Sequence, residues 1–174
     1  MKSLKSRLLN EGFYQNAGGM IRPTTKDELM KEIRERLRKH QTNLNDIDTS
    51  RITDMSNLFV DIKLRQNIDI SQWDVSNVKD MHNMFYGYKN FNCDLSKWDV
   101  SSVENMNCMF FNCQKFNSDL SKWNVSNVKT TMEMFTGCTN FNCNLSKWNV
   151  KKVINMYYMF DDSGMKELPS WYKG

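Results

Sequence analysis

The most reactive side chains in this chain belong to five cysteines and two histidines. Two pairs of cysteines have the C-x4-C spacing that can hold zinc, Cys108 with Cys113 and Cys138 with Cys143. The two pairs fall at different phases of the repeat described below, and no histidine lies near enough in sequence to complete a familiar ligand set. Five cysteines cannot all pair within one chain, so we expect reduced, half-buried residues rather than a disulfide framework, a metal site or a cofactor site.

Enzymatic chemistry is not indicated elsewhere in the sequence. Neither histidine, His40 or His82, is placed like a catalytic base, and the chain has no Walker loop, dinucleotide-binding glycine pattern, H-E-x-x-H motif or nucleophile elbow. A catalytic cysteine needs a histidine or another cationic partner to form its thiolate, and nothing in the sequence argues for one. We therefore predict no catalytic residues and no enzymatic activity.

Polar residues that recur every 25 positions form the first candidate binding surface. The recurring residues are Asn67, Asn92, Asn117 and Asn142; Asp69, Asp94, Asp119 and Asn144; and Ser71, Ser96, Ser121 and Ser146. Carboxylates one strand apart repel each other, and a cation, the neighbouring lysines or a basic protein partner would ease that repulsion. The alternative is that the lysines and water suffice and that the asparagines only satisfy backbone groups. If the surface docks a partner, the contacts fall on Asn92, Asp94, Ser96, Asn117, Asp119 and Ser121.

Aromatic residues form the second candidate binding surface. Tyr and Phe are favoured at the centres of interfaces, and we expect five of them to be exposed along one edge of the repeats. They are Tyr86, Tyr88, Phe111, Tyr157 and Tyr158. The alternative is that these residues cap the repeats.

A 25-residue repeat must position both surfaces. Trp73, Trp98, Trp123 and Trp148 stand at equal intervals, each within a nearly identical stretch that begins WDVSNVKDMHNMF in the first copy. A period between 20 and 50 residues is typical of a solenoid, because one unit cannot bury its own apolar face and needs stacked neighbours. Equivalent Trp, Val, Leu and Phe residues are therefore expected to form ladders through a common core.

Two periodicities alternate within each repeat. Residues 91–96 alternate apolar and polar, which predicts a short strand with Phe91, Cys93 and Leu95 directed inward. The spacing of Val78, Met81, Met84 and Phe85 predicts a brief extended piece and then one or two helical turns. Those turns should end in the left-handed conformation, at positions where Gly, Asn and Asp recur. These positions are Gly87, Asn112, Gly137 and Asp162. Where other repeats have Met81, Met106 and Met156, the chain has Thr131, and we predict a backbone shift or a packing defect there.

Three segments organise the chain. Residues 1–22 form an arm, predicted to be helical, whose apolar stripe either covers the first coil or docks on another molecule; the stripe is Leu4, Leu8, Leu9 and Phe13. Residues 23–42 are a capping helix, expected from about Lys26 to His40, with Thr25 and Glu28 as a capping box. Residues 43–174 contain about four and a half coils, starting with a degenerate repeat that has Ile47 in the tryptophan position and ending in a carboxyl-terminal cap.

The charge distribution limits the classes of partner that the sequence favours. Residues 1–40 contain ten Lys/Arg against five Asp/Glu, and the remainder contains fourteen against fifteen. Because the basic residues alternate with acids at helical spacing, we interpret them as a solvated helix face, and a nucleic-acid partner is not favoured. No apolar run approaches the roughly 20 residues of a transmembrane segment, and no signal peptide is found. We expect a cytoplasmic or virion-associated protein, with a cell-surface location only if Met1 is not the native start.

The repeat string W-[DN]-V-x-x-V-x-x-M-x-x-M-F followed by F-N-x-[DN]-L-S-K resembles the BspA-like leucine-rich repeat of mycoplasma and gut-bacterial surface proteins. The resemblance covers about residues 43–160, and the KDELMKEIRERLRK segment resembles the helix that precedes such arrays. It implies a right-handed α/β solenoid resembling leucine-rich repeats, with short parallel strands and short helices. Its members bind proteins or mediate surface attachment, generally without enzymatic activity, and short intracellular or phage-borne versions fit a chain without an export signal or lipobox.

The sequence therefore predicts a non-enzymatic protein-protein interaction module. The alternative is a structural or accessory component of a larger assembly, such as a phage particle or a cell-envelope complex, attached through the amino-terminal arm. The identity of the partner and the oligomeric state are not written in the sequence.

Overall fold

The computed structural model describes residues 14–15, 21–60, 62 and 66–173. The arm residues Leu4, Leu8, Leu9 and Phe13 lie outside the described residues. Within the arm, strand β1 (Tyr14–Gln15) pairs antiparallel with strand β2 (Ile21–Arg22), so the prediction of a helical arm is wrong at these four residues. The reason lies in the first repeat, since Ile21 forms a parallel bridge with Ile47 and accepts a 2.8 Å hydrogen bond from the Asp48 N–H.

Helix α1 (Lys26–Arg38) covers the start of the repeats. Thr25 caps the helix by accepting a hydrogen bond from the Glu28 N–H, while the Glu28 carboxylate reaches back to the Thr24 N–H at 2.7 Å. Leu29 and Ile33 are fully buried, as expected for one apolar face. The helix ends two residues before the predicted His40, because His40 adopts a left-handed φ of 58° that breaks the helical geometry.

Five repeats follow, and each lies parallel to the next. Repeat 1 comprises residues 47–72, repeat 2 residues 73–97, repeat 3 residues 98–122, repeat 4 residues 123–147 and repeat 5 residues 148–173. Parallel bridges join one position of each repeat to the same position of the next: Asp54 to Asp80, Asp80 to Asn105, Asn105 to Thr130, and Thr130 to Asn155. Equivalent residues therefore lie directly over one another.

A ladder of backbone hydrogen bonds runs along these bridges. Within residues 81–87 of repeat 2, every second N–H donates to a carbonyl of repeat 3, and the same bonds recur between the later repeats. The repeat 2 bonds are Met81 to Asn105, Asn83 to Asn107, Phe85 to Met109 and Gly87 to Phe111, at 2.7–2.9 Å. Each repeat thus depends on its neighbour to satisfy part of its backbone.

The segments that carry this ladder, residues 81–87 in repeat 2, consist of consecutive turns. Within residues 21–60 and 66–173 the structure has no helix other than α1, so the short helices predicted for these segments are absent. In repeat 2, the Met84 N–H bonds to the Met81 carbonyl and the Tyr86 N–H to the Asn83 carbonyl. The column Gly87, Asn112, Gly137 and Asp162 has positive φ, which confirms that part of the prediction. A second left-handed column was not predicted: Asn57, Asn83, Cys108, Glu133 and Tyr158, at φ 51–56°. Because a left-handed residue interrupts the helix every few positions, alternate N–H groups turn outward to the next repeat.

Aromatic rings fill the core in columns. Phe59, Phe85, Phe110, Phe135 and Phe160 stack at centroid distances of 5.3–5.8 Å. Each tryptophan also donates its indole N–H to a carbonyl 26–29 residues earlier in the chain, as Trp98 does to Ile70 at 3.1 Å and Trp123 to Leu95 at 3.0 Å. The expected Trp, Leu and Phe ladders are buried throughout, and the two Val ladders are buried except at Val150 and Val153 in repeat 5. The uncovered end of the stack therefore begins at repeat 5.

The predicted irregularity at Thr131 is wrong. Its backbone continues the ladder, with the Thr131 N–H 2.9 Å from the Asn155 carbonyl oxygen, and its side chain is buried. The hydroxyl lies 3.4 Å from Met159 Sδ, so a sulfur atom of the next repeat takes its hydrogen bond. A threonine therefore replaces methionine here without a backbone shift.

The tryptophan column has one more member than the sequence indicated. Trp171 stacks on Trp148 at 6.3 Å and 5°, and its indole N–H donates to the Leu145 carbonyl at 3.0 Å. Tyr172 lies edge-on against Phe160 at 5.0 Å. The segment that contains Trp171 and Tyr172 thus covers the tryptophan and phenylalanine columns of repeat 5.

Candidate functional site

The polar face is built from segments such as residues 91–96. Buried and exposed residues alternate there as predicted, but neighbouring segments do not join as β-strands in the described residues. Asparagine side chains take the place of the backbone ladder: the Asn92 N–H donates to Asn67 Oδ1 at 2.9 Å, and the Asn117 N–H donates to Asn92 Oδ1 at 3.0 Å. The same bonds continue through Asn142 to the Lys166 N–H. This geometry favours the structural interpretation of the asparagines, since their side-chain oxygens already serve the backbone.

The aspartates of this face make local turns. Asp94 Oδ1 accepts from the Ser96 N–H at 2.9 Å, and Asp119 Oδ1 accepts from the Ser121 N–H at 2.9 Å. Hydrogen bonds from the Ser96 backbone, and from the Ser121 side chain and backbone, lower the pKa of the Asp94 and Asp119 carboxyls respectively. Both groups are exposed and are therefore ionised at neutral pH.

Shallow grooves separate the asparagine and aspartate columns. One, of ≈ 260 Å³, lies between repeats 2 and 3, and another, of ≈ 300 Å³, lies between repeats 3 and 4. Cys93, Ser118 and Cys143 line them, and each accepts a backbone N–H of the previous repeat at 2.8–3.4 Å. Burial raises the pKa of both thiols to about 11, so they stay protonated at neutral pH. A serine can replace cysteine in this column because the position only needs a small acceptor.

A second column of small side chains explains two more cysteines and corrects one prediction. Cys113 Sγ donates to the Phe85 carbonyl at 3.0 Å and Cys138 Sγ to the Phe110 carbonyl at 2.9 Å. Tyr88 occupies the same column and is only 5% exposed, with its hydroxyl bonded to the Gln66 carbonyl. The expectation that Tyr88 is an exposed partner-binding residue is therefore wrong. Its ring points inward because this column faces the core. An aromatic residue type alone does not show whether the side chain is buried or exposed.

The aromatic edge consists of the remaining four residues. Tyr86 and Phe111 stack on each other at 4.6 Å and 3°, which half-buries Phe111 and leaves Tyr86 41% exposed. Tyr157 and Tyr158 are 61% and 60% exposed on repeat 5. Ile154 lies in the same turn segment and is 87% exposed, although sequence reasoning missed it. We call Ile154, Tyr157 and Tyr158 the terminal patch.

The terminal patch differs from most of the equivalent positions in the stack. At the position of Ile154 the other repeats have Thr53, Lys79, Glu104 and Lys129. At the positions of Tyr157 and Tyr158, repeat 2 has His82 and Asn83, repeat 3 has Asn107 and Cys108, and repeat 4 has Met132 and Glu133. The change from a polar to a large apolar side chain at the position of Ile154 is the signal that could have identified it from the sequence.

The His82 ring lies in a local hydrogen-bonded network with Asp80 and Asn57. Nδ1 lies 2.9 Å from Asp80 Oδ1, and Nε2 lies 3.0 Å from Asn57 Nδ2. With Nδ1 donating to the carboxylate, Nε2 accepts the amide N–H. Within residues 14–15, 21–60, 62 and 66–173, no three His, Cys, Asp or Glu side chains are grouped as metal ligands would be.

The geometry defines a protein of stacked, tandem 25-residue repeats with an apolar patch on its last repeat. The chain belongs to the family described as "Mycoplasma protein of unknown function, DUF285", which matches residues 27–69 and 60–171. None of the curated proteins matches the chain, and none of the solved structures does. In the part of the chain that the structure describes, no helix has the length and apolar character to cross a bilayer.

Proposed function

We propose that this chain is a non-enzymatic protein-protein interaction module, built as a right-handed solenoid of the BspA-like leucine-rich-repeat type. The proposal of a solenoid is supported by the 25-residue register of the bridges and by the ring stacks.

The observation that carries the proposal is the terminal patch. Ile154, Tyr157 and Tyr158 lie within five consecutive residues and are 60–87% exposed. Large side chains left in water in this way are costly, and such patches mark sites of protein association. Tyr is among the residues enriched where binding energy is concentrated. The polar face is a weaker candidate because its asparagine oxygens and aspartates are already engaged in backbone hydrogen bonds.

The test replaces the terminal patch by residues that other repeats carry at the same positions. The triple variant Ile154→Thr, Tyr157→Asn and Tyr158→Asn introduces the residue types of Thr53, Asn107 and Asn83. Because these types already fit the ladder, the fold should be kept, which circular dichroism and thermal unfolding will verify. We expect the variant to bind the protein partner captured by the wild-type chain from its native source at least about tenfold more weakly.

A matched control addresses the other surface. The double variant Asp94→Ala and Asp119→Ala alters the polar face and should retain wild-type binding. If the double variant loses the partner while the triple variant keeps it, the docking surface is the polar face and the assignment to the terminal patch is wrong. If both variants bind like the wild type, neither surface docks the partner.

A further inference from the structure

The ladder of backbone hydrogen bonds stops at repeat 5 and leaves an open edge. At each preceding junction, the ladder begins with one carbonyl that accepts from the next repeat and two N–H groups that donate to that repeat: between repeats 2 and 3 these are the Lys79 carbonyl and the Met81 and Asn83 N–H groups. The equivalent groups of repeat 5 are the Ile154 carbonyl and the Met156 and Tyr158 N–H groups. None of the three has a hydrogen-bond partner among the residues that the structure describes. We call these three groups the terminal edge.

The rest of repeat 5 is better covered than the terminal edge. Trp171 and Tyr172 lie on Trp148 and Phe160, and the backbone of Phe160 lies beside the Tyr172 hydroxyl. By contrast, Val150, Val153 and Met156 remain only partly buried, although their counterparts Val125 and Val128 are buried. An apolar strip thus lies directly beside the free backbone groups.

Charge adds a third property to this end. From Trp148 to Phe160, repeat 5 contains Lys151 and Lys152 and no acidic residue. The same stretch of repeat 3 contains Asp99 and Glu104, and that of repeat 4 contains Glu133. In the stack, a glutamate pairs with a lysine across a junction, since Lys129 Nζ lies 2.5 Å from Glu104 Oε2. Lys151 is exposed, while Lys152 Nζ bonds back to Asn127 Oδ1 of repeat 4 at 2.8 Å, and the acidic Asp161 and Asp162 follow Phe160. The Trp148–Phe160 part of repeat 5, which contains Lys151, is therefore the part suited to an acidic neighbour.

We propose that the terminal edge binds an extended, acidic segment of a partner protein, which adds to the stack in parallel as each repeat adds to the one before it. The segment donates one backbone N–H to the Ile154 carbonyl and accepts from the Met156 and Tyr158 N–H groups. Its apolar side chains, three residues apart like Val103 and Met106, pack on Val153 and Met156. The main-chain bonds provide affinity, and the side chains provide selectivity. This inference rests on the proposed function, of which it names the partner's chemistry.

The chain itself supplies the probe for a test. Residues 101–112, with Cys108→Asn to remove the thiol, form an acidic peptide that contains Val103, Glu104 and Met106. Within the stack this segment makes the proposed bonds on repeat 2: the Glu104 N–H donates to the Lys79 carbonyl at 2.8 Å, and its carbonyls at Asn105 and Asn107 accept at 2.9 Å. The matched control is the same peptide N-methylated at the Glu104 position, which has the same charge and side chains but no N–H donor there.

The readout is amide hydrogen exchange of the full chain, measured by NMR. With the peptide near saturation, at about 2 mM, exchange at Met156 and Tyr158 is expected to slow about tenfold, and exchange at Met106 is expected to stay unchanged because its N–H is already bonded. The N-methylated peptide should give less than a third of this slowing. The variant Lys151→Glu with Lys152→Glu should weaken peptide binding several-fold.

Three results would overturn the inference. The first is that the peptide does not slow exchange at Met156 and Tyr158, and the second is that both peptides slow it equally. The third is slow exchange at both amides without peptide in a chain that sediments as a dimer, because a second copy would then occupy the terminal edge. The proposed function fails separately, when the terminal patch variant keeps its native partner. If the terminal patch variant loses the native partner, but the peptide does not compete with that partner for the wild-type chain, the proposed function stands. In that case the addition of a partner segment to the terminal edge is wrong.

Discussion

Trp123→Ala is expected to lower the free energy of unfolding by about 3–5 kcal/mol, the range for removing a large aromatic side chain from a packed core. Trp123 is buried, stacks on Trp148 at 6.5 Å and 4°, and donates its indole N–H to Leu95 at 3.0 Å. The substitution empties one position in the middle of the column and leaves the Leu95 carbonyl without its donor. Urea unfolding followed by circular dichroism measures the loss.

The matched control for this prediction is Trp123→Phe. Phenylalanine keeps an aromatic ring in the column but cannot donate to the Leu95 carbonyl, so we expect a smaller loss of about 1–2 kcal/mol. Because stacked repeats contact only their neighbours, the damage should be greatest in repeats 3 to 5. A loss below about 1 kcal/mol in the alanine variant would contradict a packed tryptophan column.

Gly164→Ala is expected to lower the free energy of unfolding by about 2–4 kcal/mol, the second-largest expected effect of a substitution. A Cβ atom at Gly164 would lie 2.4 Å from the Thr139 carbonyl oxygen and 3.0 Å from that of Phe141. Both neighbours are backbone atoms, so relief requires a shift of the chain that weakens the 2.9 Å bond from the Gly164 N–H to Cys138. Thermal and urea unfolding measure this loss.

Ser163→Ala is the control for the glycine substitution, because it changes the adjacent residue without adding a side-chain carbon. The Ser163 hydroxyl accepts only a 3.5 Å bond from the Met165 N–H. We expect a change within about 0.5 kcal/mol. Equal effects of the two substitutions would show that repeat 5 does not approach repeat 4 as closely as the structure has it.

The core columns could be predicted from the sequence because burial constrains residue type at a fixed period. The residue types of Trp98, Val100 and Phe110 recur every 25 positions, because each side chain packs on the equivalent side chain of the next repeat. The 25-residue period does not predict that Trp171 belongs to the column, because Trp171 follows Trp148 by 23 residues. Only its ring stack shows that it belongs to the column.

The local backbone was harder to predict than the core. The spacing of Met81, Met84 and Phe85 is the same in a helix and in a run of turns, so periodicity does not separate the two. The second left-handed column includes Glu133 and Tyr158, residue types that do not favour positive φ. Bonds to the neighbouring repeats hold these residues there, and a rule based on residue type does not foresee such constraints.

The candidate site was predictable in part. Tyr157 and Tyr158 were identified as aromatic residues on an edge, and their exposure agrees with that expectation. Tyr88 was assigned to the same edge although its position in the repeat is that of Cys113 and Cys138. The Ile154 carbonyl and the Met156 N–H, which have no partner among the described residues, have no sequence signal, since any residue type supplies the same backbone groups.

Amide hydrogen exchange of the unliganded chain tests the central claim most directly, namely that repeats stack in register through one backbone ladder that ends open at repeat 5. Slow exchange is expected at Met81, Met106 and Thr131, whose N–H groups bond to the next repeat at 2.9–3.0 Å, and fast exchange is expected at the equivalent Met156. Fast exchange at Met106 and Thr131, or protection of Met156 equal to theirs in a monomeric chain, would contradict it.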